Sequence, residues 1–238
     1  MLYSLPKKIQ MHVSQAKWRI ESEKSVLVFV GLEHLKQKYK MNHNKADSNH
    51  PIFEHLTLLL KKAKALDIAT IDLNSDQMMQ GMMTLGEYLS QDYQLVIAGE
   101  ISASFKQVIQ HIASVSDHIC IVDDAIDVEN QEQHIQWINN CSEQGLHHVN
   151  TQTLLRLWSL SAPKELILSP KGILLALSEQ LDMEALEIDP TVDLKSYGLD
   201  SVSMVSLIGL WRANGANITY EDFLGHCSLE KLMTILLI

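Results

Sequence analysis

Clustered positive charge is what this sequence most plainly lacks: 19 Lys and Arg face 29 Asp and Glu, for a formal net charge of −10 over 238 residues. Nucleic-acid backbones and anionic membranes are held by grouped cations, so the sequence argues against both as partners. There is also no run of eighteen apolar residues and no basic-then-apolar leader at Met1, so neither a membrane span nor a secretory signal is expected and the chain reads as a soluble cytoplasmic protein. Cysteine is scarce. Cys120, Cys141 and Cys227 lie far apart without C-x-x-C spacing, which fits reduced, small apolar side chains better than a disulfide frame or a zinc site.

What is present is a 46% hydrophobic chain long enough for one large domain, or for one medium and one small. From Ser25 to about Trp158, apolar runs alternate with helical patterns, as βα units with a parallel sheet do. Val26 to Leu32, Ile68 to Leu73, Leu95 to Ala98 and Ile119 to Val122 are short, rich in Val and Ile and not alternating, so they are predicted as central strands covered on both faces. Ile52 to Leu66 behind Pro51, and Phe105 to Val115, carry helical spacing and read as crossover helices. The polar stretch from Lys36 to His50 reads as a mobile loop.

Ser161-Ala162-Pro163-Lys164 signals a boundary, giving domains 1–162 and 163–238. Beyond it the pattern is all-helical. Ser169-Pro170 opens a helix with Ile173, Leu174, Leu177 and Leu181 on one stripe; Pro190 lies in an acidic loop; further helical segments start near Ser201, Glu221 and Ser228. From Lys164 onward there are eleven acids and five bases, net −6, so partners with basic docking surfaces suit this part.

Tyr197-Gly198-Leu199-Asp200-Ser201-Val202 is the informative run. Gly198 permits a turn that other residues resist, Asp200 and Ser201 favour a helix start, and Ser201 would stand exposed at the positive end of that helix. Asp200-Ser201 alone could be an ordinary N-cap. In its context the run closely resembles the G-x-D-S-hydrophobic signature of acyl and peptidyl carrier proteins, and the resemblance covers the whole small domain. It implies 4'-phosphopantetheine joined covalently to Ser201 by a separate phosphopantetheinyl transferase. It also implies partner docking near the start of the following helix and near Tyr220 to Leu224, with Val202, Met204, Val205 and Phe223 as candidates and core packing as their alternative role.

The larger domain offers Val26 to Gly31, Gln94-Leu95-Val96-Ile97-Ala98-Gly99 followed by a helix, His118 to Ala125, and Asn150 to Leu155. Their order resembles the isochorismatase-like hydrolases, and with the carrier the chain resembles the bifunctional isochorismatase/aryl carrier proteins of catechol siderophore assembly. That resemblance implies an α/β fold with a parallel sheet flanked by helices, followed by a small four-helix-bundle carrier domain. The family's aspartate at the end of the first strand is replaced by Gly31, its cysteine position falls near Ser104, and the region around Met82-Met83-Thr84 offers no lysine. A glycine cannot transfer a proton and a lone hydroxyl is a poor substitute for a thiolate, so no catalytic residue and no isochorismatase activity are expected.

The expected function is an aryl carrier that holds 2,3-dihydroxybenzoate or salicylate as a thioester for nonribosomal siderophore assembly. Its partners would be an aryl-acid adenylating ligase and a condensation or cyclisation domain of a nonribosomal peptide synthetase, and a homodimer through the α/β domain is plausible. The alternatives are an active isochorismatase-type hydrolase fused to a carrier, and a carrier of another acyl or aminoacyl group. No metal is expected: Asp123, Asp124 and Asp127 read as a solvated acidic loop, and His34, His43, His50, His55 and His147-His148 lack ligand spacing with a supporting carboxylate. Met78-Met79 and Met82-Met83 read as soft gap fillers.

Overall fold

The computed structural model describes residues 18–41, 50–74, 78–101, 103–128 and 130–237, without the side chains at 40, 41, 78, 103–105, 108 and 111. The chain divides into two compact units, Met1–Trp158 and Ser159–Ile238. His43 lies outside the described residues.

In the first unit, β1 (Ser25–Val30), β2 (Ala69–Leu73), β3 (Gln94–Glu100), β4 (Ile119–Asp127) and β5 (His147–Val149) form one five-stranded sheet in the order β2-β1-β3-β4-β5. Every pairing is parallel. β1 is buried at all six positions because its side chains enter both layers. Leu27 and Phe29 meet α1 (Leu32–Met41), α2 (Pro51–Ala65) and α6 (Thr151–Ser161) through Leu35, Leu59 and Trp158. Val26, Val28 and Val30 join the opposite layer with α3 (Met78–Ser90), α4 (Ala103–Ala113) and α5 (Gln131–Glu143) through Leu85, Ile109 and Trp137.

Three expectations need correction. β2 is an edge strand and alternates in burial, since it pairs with β1 alone. Lys36 to Met41 belong to α1, not to a loop: Leu35 and Tyr39, one helical turn apart, bury themselves and give a polar segment just enough apolar face. Residues 42–49 lie outside the described residues.

Asp123 and Asp127 are not in a solvated loop either, because β4 runs on to Asp127 and buries both. Asp127 accepts from Lys38 Nζ at 2.5 Å and from the Tyr39 hydroxyl at 3.3 Å. Asp124 accepts from the Thr151 amide and hydroxyl, both at 2.7 Å, and so caps α6. Asp123 Oδ2 lies 3.2 Å from His148 Nδ1, whose Nε2 is 2.6 Å from Ser142 Oγ. That chain has the connectivity of a hydrolytic triad, but all three residues are buried and no substrate can reach the hydroxyl. It joins β4, β5 and α5.

Gly99 is the tightest point of the sheet. Its φ is +113°, and a Cβ there would stand 2.2 Å from the Val30 carbonyl oxygen. Gly99→Ala is expected to destabilise the α/β unit by about 2 kcal/mol or more, through strained backbone and a clash that β1 cannot relieve. Urea unfolding followed by tryptophan fluorescence in a Trp211→Phe background, which leaves only tryptophans of the α/β unit, checks this, with an unchanged midpoint counting against it.

Candidate functional site

The second unit is helical: α7 (Lys164–Ile167), α8 (Pro170–Leu181), α9 (Ser201–Ala213) and α10 (Leu229–Leu236), with 3-10 turns at Ala185–Glu187, Leu194–Tyr197 and Tyr220–Phe223. Each longer helix starts on a side-chain cap. Ser169 Oγ accepts from the Gly172 amide at 3.0 Å for α8, and Ser228 Oγ accepts from the Lys231 amide at 3.3 Å for α10. Ile173, Leu177, Leu194, Met204, Leu207, Trp211, Phe223 and Leu232 fill the core, with the Trp211 and Phe223 rings nearly parallel at 8° and 6.4 Å between centroids.

The long segment before α9 is tied down by its own backbone. The Leu194 amide donates to the Cys227 carbonyl at 2.8 Å, the Glu230 amide to Pro190 at 3.0 Å, and the Asp189 amide to the Tyr197 hydroxyl at 3.0 Å. At its end Gly198 turns the chain with φ +98°, Leu199 buries, and Asp200 stays extended as the N-cap of α9. The Asp200 carboxylate accepts from the Ser203 amide at 2.8 Å.

Ser201 is therefore the first residue of α9 and is exposed. Other serines nearby are placed differently. The Ser178 hydroxyl donates to the Met183 carbonyl, Ser228 is a buried cap, Ser203 is half-buried, Ser196 sits in a 3-10 turn, and Ser206 lies further along α9. Among the described serines of this unit, Ser201 combines exposure with the positive end of a helix of this length, where a phosphodiester is favoured.

Residues 171–236 match the phosphopantetheine attachment site family. The helical unit is a carrier domain. It takes 4'-phosphopantetheine covalently on a serine, and the interactions general to such domains are with a phosphopantetheinyl transferase and with synthetase domains. No curated protein matches the chain.

Burial separates the four docking candidates of the carrier domain. Val202 and Val205 are 72% and 60% exposed, whereas Met204 at 5% and Phe223 at 0% belong to the core. Met204 and Phe223 are thus withdrawn as docking residues: on α9 the 3.6-residue period turns position 204 inward while 202 and 205 face out, and Phe223 packs on Trp211. Tyr220 and Leu224 are exposed on the same short segment as Phe223.

The positions that correspond to hydrolase groups carry none of them among the described side chains. Gly31 ends β1 with φ +60° and offers no functional side chain, and the side chain of Ser104 lies outside the described residues. All three cysteines are free and buried, and burial pushes their thiols up, Cys141 to about 12, so none is an activated thiolate. Among the described residues no three His, Cys, Asp or Glu side chains come together to hold a metal. No helix among them is long and apolar enough to cross a membrane.

Two outcomes follow for the carrier domain. The Ser203 amide and hydroxyl hold the Asp200 carboxyl below its usual range. A depressed carboxyl pKa contributes stability above the unfolded value, and that contribution is lost as pH falls through the folded one. The protection factor of the Ser203 amide, its exchange rate set against the intrinsic rate at the same pH, should fall on acidification in the parent. Asp200→Ala should show low protection at every pH, and the protection in Asp200→Asn should depend little on pH. Separately, Phe223→Ala should cost about 3–5 kcal/mol in denaturant unfolding, against less than about 0.5 kcal/mol for Val205→Ala. Equal costs would return Val205 to the core.

Proposed function

We propose that this protein is an aryl carrier whose Ser201 bears the phosphopantetheine arm. The observation that carries the assignment is the exposed hydroxyl on the first turn of α9, inside the matched segment 171–236. The thiol of the attached arm holds the acyl cargo as a thioester. The carrier's own residues supply no acid, base or oxyanion hole to that chemistry; they present the arm and a docking surface, and specificity lies in which partners that surface accepts.

That surface would comprise Val202 and Val205 on α9, with Tyr220 and Leu224 beside the 3-10 turn. Asp189, Asp193 and Asp200, each held below the usual carboxylate range mainly by a backbone hydrogen bond, keep the approach to α9 negatively charged and suit a basic partner face. The cargo proposed is 2,3-dihydroxybenzoate or salicylate, delivered by an aryl-acid adenylating ligase and passed to a condensation or cyclisation domain in siderophore assembly. The aryl class rests on the resemblance of the α/β unit to isochorismatase-like hydrolases. The parallel sheet flanked by helices supports that reading at the level of architecture, and the same resemblance makes the unit a candidate homodimer surface. Isochorismate hydrolysis itself is not expected of this chain, because Gly31 cannot move a proton and the thiols are sealed in the core.

Intact mass after incubation with coenzyme A and a permissive transferase tests the assignment. The parent and Ser203→Ala should each gain one phosphopantetheine, and Ser201→Ala none. A gain by Ser201→Ala would move the attachment elsewhere. Loading of the modified protein by ligases for aryl and for aliphatic acids then tests the cargo, and failure with every aryl acid would remove the aryl reading while leaving the carrier intact.

A further inference from the structure

In the strand order β2-β1-β3-β4-β5 the chain departs from β1 towards one edge and later from β3 towards the other, so β1 and β3 flank the topological switch point. Sheets of this kind gather their chemistry beyond the carboxyl ends of the strands at that point. Here β1 ends at Val30, just before Gly31, and β3 ends at Glu100.

The register between β3 and β4 shifts between Ile97 and Gly99, and Gly99 has its backbone pressed against Val30. The next side chain, Glu100, lies across the end of β1. Its Cβ and Oε2 stand 3.4 and 3.6 Å from the place a Cβ on Gly31 would occupy. The Glu100 carboxylate, on β3, therefore stands at the end of β1, and the glycine is what makes room for it.

Glu100 Oε2 is 2.5 Å from Nδ1 of His34, in the first turn of α1. The Glu100 side chain is 13% exposed and that of His34 is 70% exposed. With Nδ1 engaged by the carboxylate, Nε2 is the ring nitrogen left to the solvent side. A carboxylate that fixes one imidazole nitrogen while the other faces outward is the orienting half of a general base.

We propose that His34 and Glu100 form an acid–base dyad at the end of β1 that activates water against small, uncharged acyl esters. Water is the nucleophile because, among the described residues, no hydroxyl or thiol is hydrogen-bonded to His34. The substrate is uncharged because the described lysines of α1 are matched already, Lys36 with Glu33 at 2.8 Å and Lys38 with Asp127 at 2.5 Å, which leaves them no surplus charge for an anion. A water proton passes to Nε2 of His34 as the water oxygen bonds to the acyl carbon. The bond from that carbon to the alcohol oxygen then breaks, and the imidazolium returns the proton to the departing oxygen. His34 is the catalytic residue; Glu100 is a positioning residue that acts through it. The dyad is independent of the carrier assignment and uses none of its residues.

The test is steady-state hydrolysis of 4-nitrophenyl acetate by the full chain, with far-UV circular dichroism showing that each variant is folded. Saturable turnover is expected, with kcat falling at least about tenfold in His34→Gln and in Glu100→Gln while KM stays within about twofold. Glu100→Asp should retain an intermediate kcat, and His226→Gln, in the other unit, should match the parent. Absence of a saturable phase in the parent, or an unchanged kcat in either His34→Gln or Glu100→Gln, overturns the proposal.

Discussion

Asp200 accepts the amide proton of Ser203, and this one hydrogen bond decides where α9 begins. An α-helix leaves its first amides without partners, and a side-chain oxygen at the N-cap satisfies one of them. Because the cap is Asp200, position 201 is the first helical residue, outside the core and at the positive end. The segment upstream can then be long and irregular without loosening the site, since Leu194, Asp189 and Glu230 pin it through backbone hydrogen bonds and Leu199 buries beside the turn. The exposed serine thus stands at the end of a segment held in place on both sides of the turn.

A corresponding constraint in the α/β unit is the approach of Gly99 to Val30. β3 cannot come that close to the β1 backbone if position 99 carries a side chain. The approach draws the end of β3 over the end of β1, and the side chain that follows, Glu100, lands where Gly31 leaves space. Two glycines thus shape the switch point, one by allowing contact and the other by allowing a neighbour's carboxylate in. The buried chain of Asp123, His148 and Ser142 links three elements inside the core, through Asp123 Oδ2 alone since Oδ1 has no hydrogen-bond partner, and shows the converse: catalytic connectivity without access is structure.

Patterns set by local chemistry were the readable ones. Val26 to Val30 and Leu95 to Ala98 are unbroken apolar runs because both faces of those strands are covered, and such runs look the same before and after folding. Ser169-Pro170, Asp200 and Ser228 announce helix starts because capping needs only neighbours in sequence. Ile68 to Leu73 looked like its companions, yet β2 lies at the sheet edge, and whether a strand has one neighbour or two is a fact about the other strands. α1 went unseen because Leu35 and Tyr39 are its whole described buried face and helix propensity is weak without packing. Asp123 and Asp127 looked solvated because a charged residue usually is; only Lys38, Tyr39 and His148, brought in from distant parts of the chain, make their burial tolerable.

By itself the sequence determined that an α/β region precedes an acidic helical unit, and that Ser201 follows a glycine turn and a capping aspartate, because turns, caps and apolar periods are interactions between residues a few positions apart. Tertiary structure alone decided which of the apolar residues beside the serine are core and which are surface, and that Glu100 would stand over Gly31 against His34. Those contacts join residues dozens of positions apart, and their geometry follows from how strands and helices pack, which no local run of residues encodes.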